Sequence, residues 1–213
     1  MTDLTIWTYD WVPPPPRGHV RDIRLRWACE EAGLPYEIRS VPFQDRGPDH
    51  LAHQPFAQVP FLTDGEVTLF ESGACLLHLA EKSETLMPRD AKGRAEAQEW
   101  IIAGLNSMEM VTVPWWFIGL SKPAENPLEG WLASRLTRLD AVLSQRLHLA
   151  ADRFTAADLL MADILRVPSL RAALGPYPAL QAYTDRILTR PAFLKARQDQ
   201  LDHFAAADAA RAK

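Results

Sequence analysis

Cysteine is scarce: Cys29 and Cys75 are the only two in 213 residues. They share no CxxC spacing, so they offer neither a disulfide framework nor a zinc site. Each reads as a small core hydrophobe kept reduced. A basic surplus is missing as well. The net charge is -4 and the 23 Lys and Arg residues form no long block, which excludes the phosphate-binding stripe of a nucleic-acid protein. No run of about 18 apolar residues occurs. The opening MTDLTIWTYD lacks a basic stretch leading into an apolar one. The expectation is a cytosolic, unanchored protein with no nucleic-acid partner, no membrane partner and no metal. Apolar residues make up 47% and charged residues 23%, the ordinary balance of a globular chain, and bulk disorder is excluded.

What is present is a clear change of pattern along the chain. Residues 4–9 alternate and are rich in β-branched and aromatic side chains, as a strand would be. Pro13–Pro16 follow, stiff and unable to sit inside a helix. Val20, Ile23, Trp27 and Glu31 share one face of a helix over 20–31, which Gly33 and then Pro35 stop. Residues 36–41 form a second strand, so the start spells β-α-β, a parallel pair joined by a crossover helix. After a polar stretch over 44–57, short strands at 61–62 and 67–69 flank Thr63-Asp64-Gly65-Glu66, a hairpin signal. A helix opens at Ser72. This order is that of a thioredoxin-like domain over 1–84. Residues 85–90, with Pro88, read as a linker. From 91 to 213 no strand pattern recurs and an all-helical domain is expected. Its helices run over 94–119 with a bend at Pro114, from Pro127 to about 150, from a capping box at Thr155 and Asp158 with Phe154 and Leu159 as staple, over 178–188 and over 192–204. Pro168 and Gly175-Pro176 are breaks. The tail 205–213 either continues the last helix or frays.

The segments WACEEAGLPYE (27–37), QVPFL (58–62), LFESGACLLHLAE (69–81), FTAADLLMADI (154–164) and YPALQAYTDRILTRPAF (177–193) carry a resemblance. In this order they resemble the glutathione transferase superfamily, of the cytosolic bacterial type, over nearly the whole chain. The resemblance implies an α/β thioredoxin-like N-terminal domain followed by an all-α helical bundle. It implies glutathione as co-substrate, conjugation of its thiol to a hydrophobic electrophile in detoxification, and a homodimer. In that homodimer the glutathione domain of one subunit meets the helical domain of the other. Val59 precedes a proline and is therefore extended. In the family this proline, Pro60 here, is cis, which turns the Val59 N–H and C=O outward to pair with an extended peptide. Ser72 is a natural N-cap whose neighbouring N–H groups make an anion site for the γ-glutamyl carboxylate. Glu71 would face that unit's ammonium group. Gln58 and His53 complete the expected glutathione-binding set.

One requirement is left open. A thiol of pKa about 8.5 is mostly protonated at neutral pH and must be held as thiolate to attack. Family members place Tyr, Ser or Cys near the first helix's N-terminus, but residues 10–21 read DWVPPPPRGHVR and contain none. His19, Tyr9, Arg17 and Arg21 stand as candidates, beside backbone donors and the helix N-terminus itself. Without a cysteine there, disulfide exchange through a protein thiolate is disfavoured. Glutathione-only peroxidase or reductase chemistry survives, as do isomerase, dehalogenase and ring-opening roles. A catalytically quiet binding module is the alternative from another class. The acceptor is expected in a cleft between the domains, touching Trp11, Asn106, Glu109 and Trp115.

Overall fold

A computed structural model describes residues 3–211. The chain forms two compact units. One holds the residues up to Ser83 together with those from Pro191 onward, and the other holds Glu84–Arg190.

The first unit is built on a four-stranded sheet. Strand β1 (Leu4–Tyr9) leads through the proline segment to helix α1 (Asp22–Ala32) and strand β2 (Glu37–Val41). The short helix α2 (Pro48–His53), strands β3 (Phe61–Asp64) and β4 (Val67–Phe70) and helix α3 (Ser72–Glu81) follow. The strand order is β2-β1-β3-β4. β1 pairs parallel to β2, with Ile6 opposite Ile38, and antiparallel to β3, with Ile6 opposite Leu62. Gly33 closes α1 at φ 65, a left-handed conformation that favours glycine, and returns its N–H to the Cys29 carbonyl. Two points differ from the sequence reading. The polar stretch 44–57 contains α2, which starts with Pro48 in its first turn, where a missing N–H costs nothing. It has only six residues, too few to show a helical period.

The second difference concerns the C-terminus. Helix α9 (Pro191–Arg211) belongs to the first unit, whereas the sequence groups 91–213 together. It packs along α1 through Phe193, whose ring lies 4.7 Å from that of Trp27, and it buries Ala196, Gln200 and Phe204. The tail over 205–211 is helical.

The second unit is built of helices, with no strand among its described residues. The expected linker is part of it: Leu86 and Met87 are fully buried, the Leu86 carbonyl accepts from the Ala156 N–H, and Arg153 donates to the Glu84 and Thr85 carbonyls. Asp90 caps helix α4 (Ala91–Ala103) through the Gly93 N–H at 2.8 Å. A π-helical turn, Gly104–Glu109, joins α4 to α5 (Met110–Leu120), so the long helix is widened there while Pro114 sits inside α5. The run Ala91–Leu120 is long and apolar enough, by length and composition, to cross a bilayer; here it packs along α6 (Glu129–Leu143) and α7 (Ala156–Ser169). α6 ends earlier than expected because Asp158 draws in the Leu149 N–H at 2.9 Å and Arg186 takes the Leu147 carbonyl. The capping box of α7 is formed: Thr155 N–H donates to Asp158 at 3.0 Å, and Ala157 N–H to the Thr155 hydroxyl at 3.3 Å. Pro168 lies within the last turn of α7 rather than ending it, and α8 (Pro178–Leu188) closes the unit.

Candidate functional site

The loop before β3 and the junction of β4 with α3 carry the residues expected to hold a peptide. The Val59–Pro60 bond is cis; Pro60 is buried, Val59 half-buried and Gln58 exposed. Three side chains fix the turn leading into them. His50 Nε2 lies 2.8 Å from the Gln58 carbonyl, while Arg46 Nη1 and the Tyr9 hydroxyl donate to the Ala57 carbonyl at 2.9 and 3.2 Å. His53, by contrast, places Nδ1 at 2.7 Å from the Asp49 carbonyl and stacks on Phe61. His50 and Arg46 escape the sequence reading because α2 is too short for a face to be read and an exposed loop arginine has no periodicity.

At the β4–α3 junction the expectation about capping needs correction. Ser72 is the first residue of α3, and Glu71 occupies the cap position with φ 68 and ψ 120 and no capping side chain. A non-glycine residue there is strained by about 1–3 kcal/mol, a cost found chiefly at functional positions. The Ser72 hydroxyl accepts instead from Arg24 Nη1 at 3.0 Å, and both side chains are buried. Arg24 is a residue that sequence reasoning missed. It lies beside the apolar face of α1, and only a buried arginine with no acidic neighbour at helical spacing would have signalled it.

The activation candidates fall into different settings. Burial pushes the Tyr9 phenol pKa up, with Arg46 opposing, and its hydroxyl is given to Ala57 as above. Arg17 donates to the Val12 carbonyl from Nε and Nη2, at 3.1 and 2.9 Å, and to the Asp208 carboxylate of α9. His19 donates its backbone N–H to the Pro16 carbonyl and stands two residues before Arg21, which occupies the cap position of α1 without a capping side chain. The first turn of that helix also holds Asp22, fully buried. Desolvation raises its carboxyl pKa against the pull of Arg26.

Of the acceptor candidates, Trp11 is in the first unit and donates its indole N–H to Asp208 at 2.7 Å. Asn106 and Glu109 are both in the π-helical turn of the second unit, but Asn106 is exposed and Glu109 buried. Trp115 is buried, donates to Glu129 at 2.6 Å and has the Arg171 guanidinium 5.5 Å above its ring. The second unit also carries an open pocket of about 220 Å³ lined by Trp100, Ser107, Met108, Leu139 and Met161 among others. Among the described residues no cluster of three His, Cys, Asp or Glu side chains is assembled for a metal.

This geometry has known counterparts. The family model of the glutathione S-transferase N-terminal domain matches residues 16–81, and that of the C-terminal domain matches 121–191. Glutathione S-transferase 1 of Zea mays is 30% identical over 190 residues, covering 81% of this chain and 88% of the relative. A disulfide-bond oxidoreductase of Escherichia coli (strain K12) is 28% identical over 196 residues, covering 84% and 89%. The fold matches that of a glutathione transferase from Pseudomonas putida, solved with one glutathione disulfide bound per subunit, with TM-score 0.78, 20% identity and coverage of 92% and 91%.

Proposed function

Since the chain belongs to the glutathione S-transferase family, we propose that it binds glutathione against Gln58–Pro60 and Glu71–Ser72 and conjugates its thiol to a small apolar electrophile. The observation that carries this reading is the strained cap of α3. A folded chain has no internal reason to hold Glu71 at φ 68, since glycine would remove the cost. Glu71 is exposed at the N-terminus of α3, and a carboxylate next to a helix N-terminus suits a zwitterionic γ-glutamyl unit. Arg24 behind Ser72 adds positive charge and orients the hydroxyl.

In the step itself, the glutathione thiol first gives its proton to solvent. The thiolate sulfur then forms a bond to the electrophilic carbon, and the leaving group departs with that carbon's electron pair, or the ring opens. The protein's contribution is to lower the thiol pKa and to exclude water. Of the four activation candidates, Tyr9 and Arg17 are committed to Ala57, Val12 and Asp208. His19 stands on the loop just before α1, and on that position the reading places the thiol near it, with Arg21 and the N-terminus of α1 supplying field. The relation to a disulfide-bond oxidoreductase supports a second reading, glutathione-only reduction of a disulfide or peroxide. Both cysteines are buried, and burial pushes their pKa up to about 12, so glutathione would supply both thiols. We take the working form as a cytosolic homodimer. Phe56, 66% exposed beside Phe70, supports association, and sedimentation as two chains rather than one checks it.

Retention on immobilised glutathione tests binding. Ser72→Ala and Glu71→Ala are expected to weaken it at least about 10-fold each, the loss of roughly one charge-assisted hydrogen bond. A protein that flows through the column and gains no thermal stability in millimolar glutathione would sink the reading. Turnover of an aryl halide against turnover of a peroxide separates the two chemistries, and His19→Ala is expected to shift the thiol's apparent pKa upward in whichever is found.

A further inference from the structure

Helix α9 returns to the loop on which thiol activation has been placed, and one of its faces is fitted to that loop. Arg197, Leu201, Phe204, Asp208 and Arg211 recur at helical spacing. A side-chain carbon on Gly18, which is buried and sits at φ 78, would come within 3.7 Å of Arg197 and 3.8 Å of Leu201, so the loop backbone lies directly against the helix. Gln200 donates to the Val20 carbonyl at 2.9 Å, and His203 Nε2 lies 3.0 Å from the Tyr9 carbonyl. Both ends of the segment 9–20 are thus held. In the middle, one carboxylate collects three donors. Asp208 accepts from Trp11 Nε1 at 2.7 Å and from Arg17 Nη1 and Nη2 at 2.5 and 2.8 Å. The Arg211 guanidinium lies 4.5 Å from the centre of the Trp11 ring.

An isolated surface ion pair contributes little. Here a two-pronged arginine and an indole share a single acceptor, and the arginine passes two further donors to the Val12 carbonyl; that geometry is directional and fixes orientation. We infer that Asp208 is a positioning residue of the conjugation site: through Trp11 and Arg17 it sets the wall that an apolar acceptor meets and the shape of the loop that presents His19. The inference rests on the conjugation reading above. It also assigns Arg17 a structural duty, because its charge is matched by Asp208 rather than offered to the thiol.

The test uses the full chain with Asp208→Ala and Asp208→Asn, read by hydrogen exchange at residues 10–21 and by steady-state kinetics with an aryl halide. Asp208→Ala is expected to speed exchange in that segment about 10-fold, the factor given by loss of one strong hydrogen bond. It should raise KM for the aryl halide several-fold and leave KM for glutathione unchanged. Asp208→Asn, which keeps an acceptor for the Trp11 indole, should recover most of the acceptor KM. Unchanged exchange in Asp208→Ala overturns the inference. So does faster exchange with both KM values unaltered, which makes the contact a structural tie only. If the unsubstituted protein turns over no electrophile, the conjugation reading fails instead. The positioning role falls with it, and acceleration confined to 10–21 then marks the contact as a structural tie only.

Discussion

Burial pushes the thiols of Cys29 and Cys75 up from an ordinary value near 9 to about 12. An acid whose pKa is raised by folding stabilises the folded state fully below its unfolded value, and that contribution fades as pH climbs through the folded one. The expected window of loss is therefore pH 9 to 12, and at pH 7–8 neither thiol should react with an aromatic disulfide reagent until denaturant is added. Prompt labelling of either cysteine in the native protein would contradict the burial argument. Glu71 gives the opposite kind of prediction. Glu71→Gly removes a strained side chain and should raise Tm by about 2–4 °C for each kcal/mol of relief, while glutathione retention falls. A stabilised variant that still binds fully would show that the strain serves something other than the ligand.

At the scale of elements, the entrance to α7 is densely bonded. The Asp158 carboxylate, fully buried, accepts from the backbone N–H groups of Thr155 and Leu149 and from the Tyr183 hydroxyl. Asp158→Ala orphans three buried donors at about 1–3 kcal/mol each, so a loss of at least about 3 kcal/mol is expected in the urea midpoint. The α9 latch has a pH limit of its own. The Arg17 hydrogen bonds, then that of Trp11, bring the Asp208 carboxyl down to about 2. A depressed acid stabilises above its unfolded value and loses that contribution as pH falls through its folded one. Exchange protection in 10–21 should therefore persist at pH 4 and disappear only as pH approaches about 2.

These elements also show what the sequence could disclose. The strand over Leu4–Tyr9, the hairpin of β3 and β4, the capping box and α8 were legible because each depends on local chemistry: alternation, an Asp-Gly turn, a Thr with Asp three residues on, a Pro at the start. The QVPFL and ESG segments stood out as a candidate site because each is contiguous. Arg24, His50 and Arg46 were not, because each acts on a residue 8 to 48 positions away. The π-helical turn was invisible for a related reason: one wider turn leaves the apolar period of a long helix almost unaltered. The destination of α9 was missed because its pattern states that one face is buried without stating against what.

For the whole molecule, that destination means the first unit is made from both ends of the chain. Phe204 is fully buried and Phe193 nearly so, and replacing either with alanine should cost about 3–5 kcal/mol. The loss should fall on the first unit: hydrogen exchange in β1 and α1 is expected to accelerate while α7 keeps its protection. Equal acceleration in both units would argue that they unfold as one.

Biosynthesis meets the same arrangement in time. During translation the apolar side of α1 emerges early, but its cover is encoded about 160 residues later, and at about 5–20 residues per second that is a delay of roughly 8–30 s. Through that interval Trp27 and its neighbours on the nascent chain lack that cover, a natural substrate for holding chaperones. A ribosome stalled before α9 would release a second unit able to mature and a first unit that is not.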